Sequence, residues 1–229
     1  MKCDSPVRLR KSADIQFFGN KTLEYDGKGN ATKVPWLFSW PPSAAPRGDL
    51  TWDFDNQLKN YTLTVGPTTI DIDFRYDALG RRVSRDTNSY FGSEYYHRGD
   101  KVYVCDGDQV IAEYKPQTEG ADAMHKYVYG TYVDEVCVFI DRVEPLASTL
   151  GSEEFRYYHR NNQYSVVALT DDTSTGVILE RYTYNSYGVP MRLDPDGTLH
   201  GAKWYYSDVG NQYLFTGRRW DSWLGVSVR

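Results

Sequence analysis

Short stretches in which apolar and polar residues alternate, each followed by Asp or Asn and a tight turn, recur along the 229-residue chain. This pattern predicts half-buried β-strands, because successive side chains of a strand point to opposite faces. The copies are LEYDGKG at 23–29, LTWDFDNQL at 50–58, FRYDALGRRV at 74–83, the weaker RYTYNSYG at 181–188 and GRRWDSWLG at 217–225. A repeated strand-and-turn unit must stack on its neighbours to bury its apolar face, so we predict an array.

The predicted fold class is all-β. We expect a spiralling, mostly antiparallel sheet of repeats that forms a partial, open shell with very little helix, because the connections between strands are short. Residues 1–20 are predicted to be a lead-in segment, and residues 21–229 to be the repeat array. Within the array, residues 34–49 contain four prolines and are predicted to be a loop.

Each copy has the same predicted chemistry at its turn. In FRYDALGRR, the Asp77 side chain is expected to bond to the backbone ahead of it, Gly80 to adopt a positive φ, and Arg81 or Arg82 to begin the return strand. An ordinary hairpin would explain one such copy, and the recurrence favours an array. The aromatic and acidic residues at equivalent positions in the first three copies are Tyr25 and Asp26, Trp52 and Asp53, and Tyr76 and Asp77.

A second repeat has the phrase YYHR, which begins at Tyr95 and again at Tyr157. A polar turn and a β-branched strand follow it both times. His97 and His159 therefore occupy equivalent positions, which favours a structural role over a catalytic one.

Composition narrows the possible partners. The formal net charge is −5, and the basic residues near the amino terminus are too few to bind a polyanion, so no nucleic-acid partner is expected. No run of 18 apolar residues predicts a membrane span, and the first 20 residues lack the apolar core of a secretory signal. The 20 tyrosines suit a sheet with one packed and one wet face.

Several phrases resemble, in order, the carboxyl-side core of the RHS/YD-repeat family, which includes the teneurin-like YD shells. They are YDALGRRV, then VVALTDDTSTGVILERYTYNSYG, then YLFTGRRWDSWLG. The resemblance runs from about residue 23 to 225. Besides the turn residues named above, the matching positions are Ala168, Leu169, Thr170, Asp171, Tyr182, Tyr184, Gly188, Phe215, Gly217, Arg218, Trp220, Asp221 and Gly225.

The resemblance implies a structural function: a wall segment of a β-shell from a larger bacterial secreted or surface protein. Such shells enclose a variable carboxyl-terminal cargo, often a toxin, so the expected partners are the rest of the shell and that cargo. The chain departs from the family pattern at Asn185, where Asp is expected, and it stops at Arg229, before the tyrosine-rich strand and the Asp-Pro element. We therefore expect a truncated fragment that cannot close a shell alone.

Candidate chemistry is sparse, and we predict no catalytic residue, cofactor or metal site. The adjacent pairs Asp171–Asp172 and Glu153–Glu154 would point to opposite faces of a strand, which suits a hydrolase poorly. DPDG at 194–197 and CDGD at 105–108 lack the remaining ligands of a calcium loop and are predicted to be turns.

Two alternatives stay open at the level of the sequence. Exposed aromatic rings at Trp204, Tyr206 and Trp220 would make the chain a carbohydrate-binding or adhesion module, whereas packing between repeats explains the same residues structurally. Cys105 and Cys137 are either isolated thiols or, if their strands are neighbours, a facing pair.

Overall fold

The computed structural model describes residues 24–35, 47–91, 94–97, 100–116, 123–132, 134–143, 152–186, 188–200, 207–221 and 226–228. The predicted lead-in, 1–20, and the central part of the predicted loop, 36–46, lie outside these residues. The chain divides into two compact units, Met1–Val102 and Tyr103–Arg229.

The first unit is an antiparallel sheet in which strands adjacent in sequence pair with each other. The order is β1-β2-β3-β4-β5-β6, and β7 and the first two residues of β8 both pair with β6. The strands are β1 (Glu24–Tyr25), β2 (Ala31–Pro35), β3 (Arg47–Trp52), β4 (Leu58–Val65), β5 (Thr68–Tyr76), β6 (Arg82–Phe91), β7 (Glu94–His97) and β8 (Lys101–Asp106).

Alternation along β4 and β5 gives this sheet one apolar and one polar face. Tyr61 pairs with Ile72 and Leu63 with Ile70, and all four side chains are buried. The intervening residues, such as Thr62 opposite Asp71, lie on the other face, where the Thr62 hydroxyl donates to Asp71 Oδ1 at 2.7 Å. The apolar face is the core of this unit, as the period-two pattern predicts.

The second unit continues with β8-β9-β10-β11-β12-β13-β14-β15, again in sequence order, and all the pairings described from β9 onward are antiparallel. Its further strands are β9 (Gln109–Tyr114), β10 (His125–Tyr129), β11 (Val136–Val143), β12 (Ser152–Arg160), β13 (Val166–Thr170), β14 (Ile178–Tyr184) and β15 (Pro190–Leu193). A separate two-stranded sheet pairs β16 (Arg219–Asp221) with β17 (Val226–Val228).

Residues 207–221 follow β15 and contact the sheet of the second unit; we call them the strap. The strap contains a short 3-10 helix, Phe215–Gly217, and ends in β16. A backbone hydrogen bond joins the strap to the sheet, since the Val166 amide on β13 donates to the Leu214 carbonyl at 3.1 Å. Leu214 is buried, as are Val166, Phe139 and Leu169 of the strands.

The prediction of an all-β, antiparallel and open fold with very little helix is confirmed. Among the described residues, no pairing joins the two ends of the strand order into a barrel. The predicted loop at 34–49 is shorter at both ends, because Val34 and Pro35 belong to β2 and Arg47–Asp49 belongs to β3. Within the described part of the chain, no helix is long and apolar enough to cross a membrane.

The two strand cysteines do not face each other. Cys105 lies on β8 and Cys137 on β11, and β9 and β10 lie between these strands. No disulfide joins them. The Cys137 sulfur instead lies 3.7 Å from the Glu135 carbonyl oxygen and 3.6 Å from Arg160 Nη2.

Candidate functional site

The turn predicted for the YD phrases is a repeated, hydrogen-bonded structure. At Asp77 the backbone N–H donates to the Arg81 carbonyl at 2.9 Å, and the Asp77 carbonyl accepts the Gly80 N–H at 3.0 Å. Asp77 Oδ1 accepts the backbone N–H groups of Leu79 at 2.9 Å and Arg81 at 3.0 Å. Gly80 has φ +84°, a region that favours glycine. The predicted roles of Asp77 and Gly80 are confirmed.

The same frame recurs with different side chains. The turns that begin at Asp26, Asp53, Asn161, Asn185 and Asp194 have the same pair of backbone hydrogen bonds. Asn185 Oδ1 accepts the Val189 N–H at 3.0 Å, so an amide oxygen performs the role of the carboxylate. The departure from the family pattern at Asn185 therefore leaves this turn intact, because the frame needs an acceptor and not a charge.

One of these turns is the polar turn predicted after the second YYHR phrase. Asn161 lies in YYHRNNQYS, and its Oδ1 accepts the N–H groups of Gln163 at 2.9 Å and Ser165 at 3.1 Å. The fourth residue of this turn is Tyr164, with φ +60°, where four sister turns have Gly and one has Asn. The Asn residue signals the turn, but the sequence gives no sign that a tyrosine adopts the left-handed conformation.

Three aromatic residues that immediately precede a turn form a link that we call a brace. The Trp52 indole N–H donates to the Ala31 carbonyl at 2.6 Å, and Tyr76 and Tyr184 hydroxyls donate to the Leu58 and Val166 carbonyls at 3.0 and 2.6 Å. In these three cases the donor is the last residue of the strand that leads into a turn. The acceptor is the first residue of the neighbouring strand that precedes it in sequence, as Tyr76 at the end of β5 donates to Leu58 at the start of β4.

Two further braces in the second unit are similar, although the acceptor of the first is the second residue of its strand, β9. The Tyr129 hydroxyl, at the end of β10, donates to the Val110 carbonyl at 2.9 Å. Arg160, at the end of β12, replaces the aromatic residue and donates from Nη1 to the Val136 carbonyl at 3.0 Å. The braces give the repeated spacing of the phrases within this chain a physical reason, since each one holds a hairpin to its predecessor.

Two glycines of the predicted motif, Gly188 before the strap and Gly217 within it, leave no room for a side chain. A Cβ on Gly188 would lie 2.5 Å from the Phe215 ring, and a Cβ on Gly217 would lie 2.0 Å from the Asp134 carbonyl oxygen. Both glycines also have positive φ, +79° and +73°. Gly188 and Phe215 are therefore brought together, and glycine is required at both positions by space and by backbone conformation.

Other predicted motif residues have different environments. Leu169 is fully buried and Ala168 nearly so, Tyr182 is buried, and Thr170 lies on β13. The Asp171 carboxylate caps a turn by accepting the Thr173 hydroxyl and the Thr173 and Val177 N–H groups. The bond from the Thr173 hydroxyl, supported by the two backbone bonds, holds the pKa of Asp171 below the ordinary value despite partial desolvation.

The two arginines of GRRWD differ. Arg218 is exposed and contributes through its backbone, which bonds to Phe215 and Leu214. Arg219, which the sequence did not single out, forms a buried ion pair with Glu113 and lies over the Tyr103 ring at 4.4 Å. Trp220 and Asp221 are buried, and Gly225 lies outside the described residues.

Two buried acidic residues anchor the strap to the sheet. Glu113 on β9 is fully buried and accepts hydrogen bonds from Tyr127 at 3.0 Å, Gln212 at 3.4 Å and Arg219. Burial, followed by the nearby Glu113 carboxylate, raises the pKa of Tyr127 well above its usual value, which keeps the hydroxyl a donor. Glu113 therefore binds both the strap and its own sheet.

The second anchor is Glu180 on β14. Its Oε1 accepts the Asp208 N–H at 2.6 Å and lies 3.2 Å from Arg192 Nη1, and its Oε2 accepts the Ser207 hydroxyl at 2.8 Å. Arg192 also pairs with Asp208 at 2.9 Å. Between the two anchors, the Tyr158 hydroxyl donates to Asn211 Oδ1 at 2.8 Å. Removing one member of such a buried pair costs about 3–5 kcal/mol.

The candidate residues for hydrolysis and sugar binding have other partners or are buried. Lys126 pairs with Glu153 and Arg156 pairs with Glu154, at 2.6 and 2.8 Å. Trp220 is 7% exposed, which removes it from a sugar-stacking surface, because its ring is already packed. Trp204 and Tyr206 lie outside the described residues.

Metal-binding geometry is absent from the described part of the chain, in which no group of three or more His, Cys, Asp or Glu residues is placed to hold an ion. DPDG forms a turn in which the Asp194 carbonyl accepts the Gly197 N–H at 2.8 Å. The site defined by the structure is therefore a repeated turn-and-brace scaffold with a strap, in a β-rich, repeat-like sheet.

Comparison of the chain with models of protein families and with curated proteins gives no match. The resemblance to RHS/YD-repeat proteins therefore stays a prediction.

Proposed function

We propose that this chain is a structural wall segment of an RHS/YD-repeat shell from a larger bacterial secreted or surface protein, which encloses a carboxyl-terminal cargo. The observation that carries the proposal is the turn-and-brace repeat, in which the residue before each turn bonds back to the preceding hairpin. A scaffold of this kind extends by adding hairpins and needs no chemistry of its own.

The buried charged residues of the second unit also support a structural role. Glu113, Glu180 and Arg192 are almost completely buried, and their partners are residues of the same unit. Their hydrogen bonds fix the strap on the sheet. A rigid, internally satisfied scaffold suits enclosure.

The test is to co-express the chain with the polypeptides encoded directly beside it. We expect a larger particle that protects a carboxyl-terminal segment of its partner from protease. A double variant, Tyr76→Phe with Tyr184→Phe, removes two braces while keeping both rings, and it should weaken this protection. Tyr157→Phe is the matched control, since Tyr157 is 42% exposed. A monodisperse monomer that melts cooperatively and binds none of these polypeptides would contradict the proposal.

A carbohydrate-binding or adhesion module is the second candidate, and one observation favours it. Tyr132 and Tyr164 stack with ring centroids 4.6 Å apart and remain 45% and 39% exposed. Tyr164 also adopts a left-handed conformation that is unfavourable for a large side chain. A strained, exposed aromatic pair is suited to stacking on a sugar ring.

Tyr164→Gly tests this second candidate without disturbing the turn, because glycine occupies the equivalent position in sister turns. We expect the variant to be at least as stable as the wild type and to lose binding on a glycan array. Absence of any wild-type signal on the array, or binding that survives Tyr164→Gly, would exclude Tyr164 as a sugar-binding residue.

A further inference from the structure

His125, at the start of β10, lies between two carboxylates of neighbouring strands. Its Nδ1 is 3.1 Å from Glu113 Oε2, and its Nε2 is 3.3 Å from Asp141 Oδ1. The ring is also packed edge-on against Phe139, with centroids 5.1 Å apart. Ionised carboxylates only accept hydrogen bonds, so both ring nitrogens must carry a proton for both contacts to be favourable.

The same two carboxylates each use their other oxygen for an arginine. Glu113 Oε1 pairs with Arg219 of the strap, and Asp141 Oδ2 lies 2.6 Å from Arg156 Nη1 on β12. Both sides of His125 therefore end in an ion pair. The ring is the only group in this row whose charge changes near neutral pH.

These contacts form one row of alternating charge. Its members, in order, are Glu154, Arg156, Asp141, His125, Glu113 and Arg219, contributed by β12, β12, β11, β10, β9 and the strap. Three anions alternate with three cations when His125 is protonated, so the row is balanced only in that state. The tyrosines that face it, Tyr103, Tyr127 and Tyr213, are neutral donors or ring contacts.

We propose that His125 is a proton-dependent clamp that joins the strap and four strands of the second unit, and that this clamp opens as the pH rises. Loss of a proton leaves a ring lone pair facing one carboxylate and removes one charge-assisted hydrogen bond. The folded state holds the ring between two carboxylates and the unfolded chain does not. The two carboxylates therefore raise the pKa of His125 in the folded state above that in the unfolded chain. The stabilisation from the clamp is present at low pH and is lost as the pH rises and the ring deprotonates.

Nuclear magnetic resonance of the wild-type chain tests the protonation directly. Long-range ¹⁵N–¹H spectra of the imidazole distinguish a doubly protonated ring from either neutral tautomer. We expect the doubly protonated pattern for His125 at a pH above the ordinary imidazole pKa of about 6.5. A neutral tautomer for His125 at that pH would overturn the proposal, and this measurement needs no variant.

Denaturant unfolding from about pH 5 to about pH 9, which spans the ordinary ionisation of imidazole, tests the consequence. We expect the folded-to-unfolded ratio of the wild type to fall on the order of tenfold or more across the range, the effect of one charge-assisted hydrogen bond. His125→Gln should be less stable at pH 5 and should lose this dependence. His159→Gln is the control, because the His159 side chain is exposed and its Nε2 lies 3.0 Å from the uncharged Thr170 hydroxyl. An unchanged pH dependence in His125→Gln would refute the clamp.

Discussion

Tyr184→Phe isolates the contribution of one brace. The Tyr184 hydroxyl donates to the Val166 carbonyl at 2.6 Å, and Val166 is 1% exposed. Burial raises the pKa of Tyr184, so the hydroxyl remains a donor at all ordinary pH values. Phenylalanine keeps the ring and its contact with Phe215, whose centroid lies 5.5 Å away. The substitution therefore removes the hydrogen bond and little else.

The expected loss of unfolding free energy is about 1–3 kcal/mol, because a buried acceptor is left without its donor and water does not reach it. The measurement is urea unfolding followed by near-ultraviolet circular dichroism. The control is Tyr157→Phe, which removes an exposed hydroxyl of the same unit and should change stability by less than about 0.5 kcal/mol. If Tyr184→Phe costs no more than the control, the braces do not stabilise the scaffold and the reasoning fails.

Three further predictions concern the turns, the charge row and the buried tyrosines. Asp77→Ala should lower the melting temperature more than Asp77→Asn, because only the amide keeps an acceptor for the N–H groups of the turn. Burial opposes ionisation of Asp141, but hydrogen bonds from His125 and Arg156 outweigh it and hold its pKa below the ordinary 3.8. The ionised Asp141 carboxylate therefore stabilises the folded state above pH 3.8, and this stabilisation is lost as the pH falls through the lower pKa of the folded state. Asp141→Asn should therefore weaken the dependence of the unfolding free energy on pH in the acid range. Burial raises the pKa of Tyr213 to about 12, and absorbance titration of the folded chain should show it ionising well after exposed tyrosines.

The strands and turns were predictable because their signals are local. The alternation in FRYD at 74–77 and the Asp77–Gly80 spacing are determined within one hairpin, and the structure has a strand that ends at Tyr76 and the predicted turn after it. The polar turn predicted after the second YYHR phrase is present at Asn161. The left-handed Tyr164 within it was not predictable, because that position usually requires glycine.

The braces and the strap anchors were not predictable, because their partners are distant in sequence or are backbone atoms. The Tyr184 acceptor is a carbonyl, and any residue type supplies one. Glu113 and Arg219 are separated by 106 positions, and although Arg219 belongs to GRRWD, nothing near either residue in sequence indicates the other. For Trp220 the sequence left an exposed platform and packing between repeats both open, and only the structure decides for packing, since the residue is buried.

The direction of the braces has a consequence for how the molecule forms. Every brace reaches from a later hairpin to an earlier one, so a nascent chain leaving the ribosome gains a fastening for each hairpin as soon as the next strand emerges. We therefore expect a braced hairpin to become stable without residues that are synthesised much later. The strap, which is synthesised after the sheet it lies on, can bind only once that sheet has emerged.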